Sequence, residues 1–600
     1  MGGARNTSTA WRLSYGATLL AAGGVHFRVW APETNCLSLQ LGQRAPSLMH
    51  RAGEDFELAV PDARPGDTYS FVFADGRSRP DPVSRSQPYG VHGPSEIVDP
   101  DRFVWSDGDW RGIALSDAVF YELHIGTFTP EGTFTAAIAK LQHLRDLGIT
   151  AVELMPVGEF PGARNWGYDQ VDLYAPHSAY GGPEGLKLFV DACHRAGLAV
   201  VLDVVYNHVG PEGNYLAEFA PYYTDHYRTP WGRAINYDGP LSDGVRHFVI
   251  DNALYWLTEY HIDALRLDAI HGIFDFSARH ILVELSARFH DQAAQLGRRA
   301  WLIAESDLND VRVVKPEAAG GYALDAQWLD EFHHSLRTYL TGANRSYLGG
   351  FGELKHIQKA IREGFVYDGC YSPFRRRHFG SSSRDLPGER FVAFLQNHDQ
   401  VANTSQGARL RRLISMEQYK IAVALLVCSP ALPLLFMGEE FAENNPFLYF
   451  TSHGDPALGR AVSEGRWKEF EEFTVSGEFV DPQLPEAFER SKLNWDLLEE
   501  PEHRTMLNFY CELIQLRRCW PCLHNGRKDL TRVEVDEAAR WLRMERTDPA
   551  GSRAVLFCNF SEVEISANLD PGPWDRALAT APADADMAPA CSASLYLANP

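Results

Sequence analysis

The sequence predicts an α/β protein: a closed (β/α)8 TIM barrel, preceded by an N-terminal β-sandwich and followed by a C-terminal antiparallel β-domain. Three observations carry this expectation. Eight short apolar runs alternate with amphipathic helical segments between about residues 118 and 440, the pattern of parallel strands joined by crossover helices. No Gly-rich dinucleotide or phosphate loop follows any of these runs, which argues against a doubly wound open sheet. Short runs of alternating apolar and polar residues bracket the region at both ends, and that period is the mark of half-buried strands.

A chain of 600 residues exceeds what one core fills, so several domains are expected. Residues 1–110 read as the sandwich, a carbohydrate-binding-like domain. Its runs "VHFRVWAP", "LSLQLG", "FELAVP" and "TYSFVFADG" are separated by turn residues. The stretch "RPDPVSRSQPYGVHGPSEIVDP" then reads as an extended connection wrapped on a surface. Residues 111–522 read as the barrel. Its strands are expected in "AVFYELHIG", "TAVELMPV", "LAVVLDVVY", "DALRLDAI", "AWLIAES", "YALDAQW", "RFVAFLQN" and "LPLLFMGEE". Helical patterns such as "FTAAIAKLQHLRDLG" and "GVRHFVIDNALYWLTEY" fall between them. Two segments exceed a minimal barrel, at about 209–242 after the third strand and about 441–496 after the eighth. Long loops on one barrel face are where sites are built. Residues 523–600, with "RWLRMERT" and "AVLFCNFS", read as the C-terminal β-domain.

Bulk properties narrow the function. A formal net charge of -23 disfavours nucleic acid and anionic membrane as partners. The 9 cysteines are scattered and odd in number, which fits a reducing compartment better than a disulfide framework. Cys519 and Cys522 have redox-motif spacing, but they follow a helical pattern and are expected to pack. The apolar run "ATLLAAGG" is too short for a signal sequence and leads straight into a strand. No segment has the apolar length of a membrane span. The expected location is cytoplasmic.

In such barrels the site lies at the C-terminal ends of the strands. The third run ends in "DVVYNH", with Asp203, Asn207 and His208. The fourth carries Arg266 and Asp268, followed by His271. The fifth ends at Glu305, the seventh in His398 and Asp399, and the first in Glu122 and His124. An isolated Arg–Asp pair is more often a structural ion pair, and an isolated Glu305 could cap the next helix. Carboxylates converging on one rim repel each other, however, and three of them with an arginine and two histidines fit catalysis better. The set suits glycoside cleavage, in which one carboxylate attacks the anomeric carbon and a second, of raised pKa, protonates the leaving oxygen. Arg266 beside Asp268 favours an ionised nucleophile, and negative neighbours favour a protonated Glu305.

"DVVYNH", "ALRLDAIH", "LIAES" and "FLQNHDQ" resemble, in this order, the four signature regions of the α-amylase family of glycoside hydrolases. The resemblance implies Asp268 as nucleophile, Glu305 as general acid/base and Asp399 as transition-state stabiliser. It implies sugar contacts from His208, Arg266 and His398, with Tyr168 in "NWGYDQVDLYAP" as an aromatic platform. Asp203, His271, Gln400 and Asn403 are expected to complete the binding set. Further stretches, "RPDPVSRSQPYGVHGPS", "TPWGRAINYDG", "DAQWLDEFHHSLRTYLTG", "NHDQVANTSQG" and "FLYFTSHGDPALGRAVSEGR", are similar to the maltooligosyltrehalose trehalohydrolase branch. That resemblance implies hydrolysis of the α-1,4 bond next to a terminal trehalose, retention of configuration, a place in trehalose biosynthesis, and pairing with a trehalose-forming synthase. In "WLDEFHH", Asp330, Glu331, Phe332, His333 and His334 are expected to read the trehalose hydroxyls; a helix-start network is the plainer alternative.

No cofactor is expected. No metal is expected either: Asn207 matches a calcium-ligand position of many amylases, but no acidic cluster accompanies it, and the paired histidines lack zinc spacing. Three rival readings remain. A glycogen branching enzyme shares "YELHIGTF" and the barrel machinery but would transfer the glucan to another sugar. A catalytically dead glycan-binding scaffold would lack one of the three acids. A metal-dependent barrel hydrolase would need clustered ligands.

Overall fold

The computed structural model describes residues 11–473, 479–582 and 586–599. The eight apolar runs become eight strands: β1 (Phe120–Leu123), β2 (Ala151–Leu154), β3 (Ala199–Val204), β4 (Ala264–Leu267), β5 (Trp301–Ala304), β6 (Ala326–Trp328), β7 (Phe391–Phe394) and β8 (Leu432–Phe436). They close into a barrel in chain order, and every neighbouring pair is parallel. Helices cover the outer face and side chains fill the inner one. Both faces are therefore dry, which is why the runs read as continuous rather than alternating. Phe120, Ala151, Val201, Ala264, Ile303 and Leu434 pack together inside. One pleat further along, the interior turns polar. Glu122 of β1 stands opposite Glu153 of β2, and Asp203 of β3 stands opposite Arg266 of β4.

The N-terminal region is a four-stranded sheet packed on a five-stranded one, both antiparallel. Phe27 and Tyr69 meet edge-on between them, with centroids 4.9 Å apart. The sandwich docks on the segment after β3: Phe73 packs on Phe219 at 5.0 Å and Trp30 on Tyr222 at 5.5 Å. The Pro/Gly-rich connection departs from its expected surface position. Asp81, Ser84, Arg85 and Gln87 are buried, and the burial is tolerated because most of their polar atoms, though not Arg85 Nε, are bonded. Asp81 accepts from Tyr69 at 2.7 Å, and Arg85 donates to Ala17 O and to Glu259, both at 3.2 Å. The C-terminal region is a five-stranded antiparallel sheet whose first strand is Thr531–Asp536. Arg546 fastens it to the barrel by donating to the carbonyls of Cys428 and Ser429, both at 3.0 Å. The nine cysteines are all free, with Cys519 exposed and Cys522 buried.

At the N-terminal end of the barrel, the segment leading into β1 is held by a buried histidine. His194 faces Asp107 through Nδ1 at 2.8 Å and Asp263 through Nε2 at 2.9 Å. Burial alone would lower its pKa, but the two carboxylates outweigh burial and raise it. A raised folded-state pKa contributes stability that is complete below the unfolded value and is lost as pH rises through the folded one. Replacing His194 by Asn removes one partner from each of two buried carboxylates, while Asp107 keeps His261 and Arg298 and Asp263 keeps the N–H groups of Trp110 and Val200, at a cost of about 1–3 kcal/mol. Thermal melts should show a lowered midpoint, with the gap to wild type wide at mildly acidic pH and narrowing as pH rises. A gap independent of pH would contradict a protonated His194.

The two predicted insertions sit at the opposite end. The first carries an antiparallel hairpin, Tyr223–Thr229 with Gly232–Ile235, whose turn presents Trp231. The second contains the helix Pro456–Phe473. Among the described residues, no helix is long and apolar enough to cross a membrane.

Candidate active site

A cleft of about 830 Å³ opens at the C-terminal ends of the strands, within the size range of ligand pockets. Its centre is organised by Arg266, which is fully buried. β4 aims this side chain inward, and its two terminal nitrogens reach three carboxylates. Nη1 donates to Asp203 at 2.8 and 2.9 Å and to Asp268 at 2.7 Å, and Nη2 donates to Glu305 at 2.8 Å. Trp328 of β6 lies beneath the guanidinium, 4.3 Å from its centre. One cation therefore holds Asp268 and Glu305 side by side.

The two carboxyls differ in protonation. Burial pushes Asp268 up, but Arg266, His208 and the amide of Asn207 outweigh it and hold this group below the usual carboxylate range. Asn207 Nδ2 donates at 2.8 Å to both the carboxylate and the carbonyl of Asp268. Glu305 goes the other way. Burial raises its pKa well above the ordinary value, Arg266 opposes, and the negative charges of Asp268, Asp399 and Asp330 add to the rise. Its Oε2 also accepts the Ala269 N–H at 2.8 Å. An ionised carboxylate thus sits beside a protonated one, as nucleophile and proton donor require.

His398 is fixed from below. Glu122 accepts from its Nδ1 at 2.5 Å and from its backbone N–H at 3.1 Å. Burial works against protonation, but Glu122 and Asp399 raise the His398 pKa to about 9. Tyr168 stacks on the His398 ring at 5.2 Å and donates to Asp203 at 2.7 Å. Asp399 is 43% exposed on its side chain, 3.6 Å from His398 Nε2. His208 is braced by the Tyr168 carbonyl at 3.0 Å and stacks on Trp231 at 5.3 Å.

Of the sequence-predicted residues, the cleft is lined by Tyr168, His208, Asp268, His271, Glu305, Asp330, His334, His398, Asp399, Gln400 and Asn403. Asp203 and Arg266 do not face it. They lie beneath it, with Arg266 fully enclosed and its terminal donors committed to carboxylates. The stretch "DEFHH" divides by helical period. It opens the helix Asp330–Thr341, so residues four apart share a face. Asp330 and His334 therefore face the cleft. Phe332 is core, and His333 is buried with Nδ1 at 2.5 Å from the Leu395 carbonyl. Glu331 accepts the N–H groups of Val366 and Tyr367 at 2.5 and 2.9 Å, anchoring a neighbouring loop. These three residues pack or anchor neighbouring segments, and no side chain caps the helix start at Leu329.

Cleft residues that the sequence reading did not single out include Asp169, Trp231, Asp307, Phe374, Arg375 and Arg466. Trp231 stood in the "TPWG" stretch, and its 47% exposure for so large a ring is the structural signal. Phe374 and Arg375 stand in the basic run "PFRRRH", and Arg375 pairs with Asp307 beside the acid. Among the described residues, no group of three or more His, Cys, Asp or Glu side chains is arranged to hold a metal ion.

Comparison with known proteins agrees with this geometry. Residues 97–241 match the family model described as alpha amylase, catalytic domain. The malto-oligosyltrehalose trehalohydrolase of Saccharolobus solfataricus is 45% identical over 90% of this chain and 92% of its own. That of Arthrobacter ramosus is 44% identical over 91% and 93%. A crystal structure described as an alpha amylase of Salmonella typhimurium superposes with a TM-score of 0.91 at 41% identity, covering 98% of this chain and 100% of that one.

Proposed function

The chain belongs to the malto-oligosyltrehalose trehalohydrolases, glycoside hydrolases of the α-amylase family, and from that premise we propose how its cleft divides the work. The protein hydrolyses the α-1,4-glucosidic bond next to the terminal trehalose of maltooligosyl trehalose and releases free trehalose. Asp268 attacks the anomeric carbon while Glu305 gives its proton to the departing trehalose oxygen. A glucosyl-enzyme ester results. Glu305, now ionised, takes a proton from water; that water attacks the same carbon and frees Asp268. Two inversions give net retention. The observation that carries this assignment is the single guanidinium joining Asp268, held below the usual carboxylate range, to Glu305, pushed well above it. Asp399, the most exposed of the three acids, is aimed at sugar hydroxyls and stabilises the oxocarbenium-like state. Tyr168, His208 and His398 frame that sugar; Arg266 and Asp203 act on it through the carboxylates they hold.

Asp330 and His334 take the leaving trehalose, flanked by Phe374 and Arg375. Burial, then Arg337 and Arg375, lower the His334 pKa to about 3, so it meets hydroxyls as a neutral donor or acceptor. Burial and the nearby Asp307 and Asp399 raise Asp330 to about 7. A site built to bond these hydroxyls discriminates strongly, because a sugar lacking them leaves buried polar groups unpaired. The reading also supports a cytoplasmic enzyme working after a synthase that forms the trehalose end.

The test is product analysis. Maltotriosyl trehalose should yield trehalose and maltotriose, with the new reducing end first appearing as the α-anomer by proton NMR. New branch points from maltopentaose plus glycogen, or release of plain maltose in place of trehalose, would overturn the assignment.

A further inference from the structure

Opposite Asp330 and Arg375 across the barrel mouth, three loops meet at one histidine. The His453 side chain is fully buried, with Nδ1 3.3 Å from Glu212 Oε2 and Nε2 3.8 Å from Asp169 Oδ2. Asp169 belongs to the loop after β2, Glu212 to the loop after β3, and His453 to the loop after β8. Neither ring nitrogen makes a hydrogen bond among the described residues; the polar groups nearest to them are these two carboxylates.

The neighbouring contacts turn this pairing into a brace. Both Glu212 oxygens accept the Gly454 N–H, at 2.9 and 3.1 Å, and His92 lies 3.6 Å from the same carboxylate. Ser452 accepts the N–H groups of Ala163 and Arg164, each at 3.1 Å. Trp166 donates to the Leu448 carbonyl at 2.9 Å. Asp169 Oδ2 also accepts from Asn165 at 2.6 Å, which leaves its other oxygen toward the cleft that Asp169 lines. Trp166, Tyr168, Tyr449 and Arg466 belong to the same wall.

We propose that His453 is a positioning residue: its buried ring, set between Asp169 and Glu212, fixes the cleft wall that holds the glucan arm of the substrate. The inference rests on the functional reading above, which gives the trehalose to the opposite side. His453 touches no sugar; it acts through Asp169 and the loop carrying Tyr168. Without it, the two carboxylates lose the ring that lies between them, and Asp169 turns to solvent.

The experiment measures steady-state kinetics on maltotriosyl trehalose for wild type, His453→Asn, Asp169→Asn and the double variant. His453→Asn is expected to raise KM roughly tenfold with kcat within about twofold, the mark of lost binding with intact chemistry. In the Asp169→Asn background the same change should move KM less than about twofold, since residues acting as one unit are not additive. A merely structural His453 would lower the melting temperature and leave this KM coupling absent, and that result overturns the proposal. Asp169 is partly exposed, so Asp169→Asn gives a reading even if the histidine variants fail to fold. A wild-type KM for Asp169→Asn also overturns the proposal. Absence of trehalose release by the wild type would instead overturn the functional reading.

Discussion

Asp268→Asn is expected to lower kcat on maltotriosyl trehalose by roughly 10⁴-fold or more, a loss of about 5–6 kcal/mol in transition-state stabilisation. The amide keeps the size of the carboxylate but cannot form the glucosyl ester. Asn207 can still pair with it, and Arg266 keeps Asp203 and Glu305 as partners, so the barrel should fold and substrate should still bind. The measurement is trehalose release under single-turnover conditions, with affinity for the intact substrate followed separately. A residual rate above about one hundredth of wild type would be incompatible with a covalent step at Asp268 and would move the nucleophile elsewhere in the cleft.

Glu305→Gln is expected to cost roughly 10²–10⁴-fold, the usual contribution of a positioned general acid. Its pH signature is more diagnostic than its size. Wild-type kcat/KM should fall on the acid side as Asp268 takes up a proton and on the alkaline side as Glu305 loses one. Asp268 is held below the usual carboxylate range and Glu305 is pushed well above it, so a broad active window lies between them. Glutamine has no proton to lose, and the alkaline limb should vanish with the acid limb retained. A substrate with a leaving group that needs no protonation, such as a glucosyl fluoride, should suffer far less from the substitution. An unchanged alkaline limb would assign that limb, and the proton, to another group.

The parts of the site that were legible from sequence share one cause. Residues on short strands of a closed parallel barrel have nowhere to go: the period of two fixes which side chains point inward, and the strand end fixes the height at which they emerge. Arg266, Asp268 and Glu305 were therefore placed by local pattern once the eight runs were recognised, whereas His398 and Asp399 lie beyond β7 on the short helix His398–Ala402. The stretch after β6 shows where such reasoning fails. Five consecutive polar and aromatic residues read as one recognition cluster, yet a helix turns each neighbour by about 100°, and only Asp330 and His334 reach the cleft.

The sequence by itself determined the barrel, its two flanking β regions, the paired carboxylates and the cation between them, because burial on both faces of a strand leaves a strong one-dimensional signature. It did not determine that the Pro/Gly connection is buried, that Arg266 and Asp203 lie under the cleft instead of lining it, or that Trp231, Arg375 and Arg466 converge on the cleft from separate loops. Nor did it reveal the brace of His453, Asp169 and Glu212. Those residues lie far apart in the chain, on segments without a fixed period. Only closure of the barrel brings the ends of β2, β3 and β8 to one rim, where a buried ring can sit between two carboxylates.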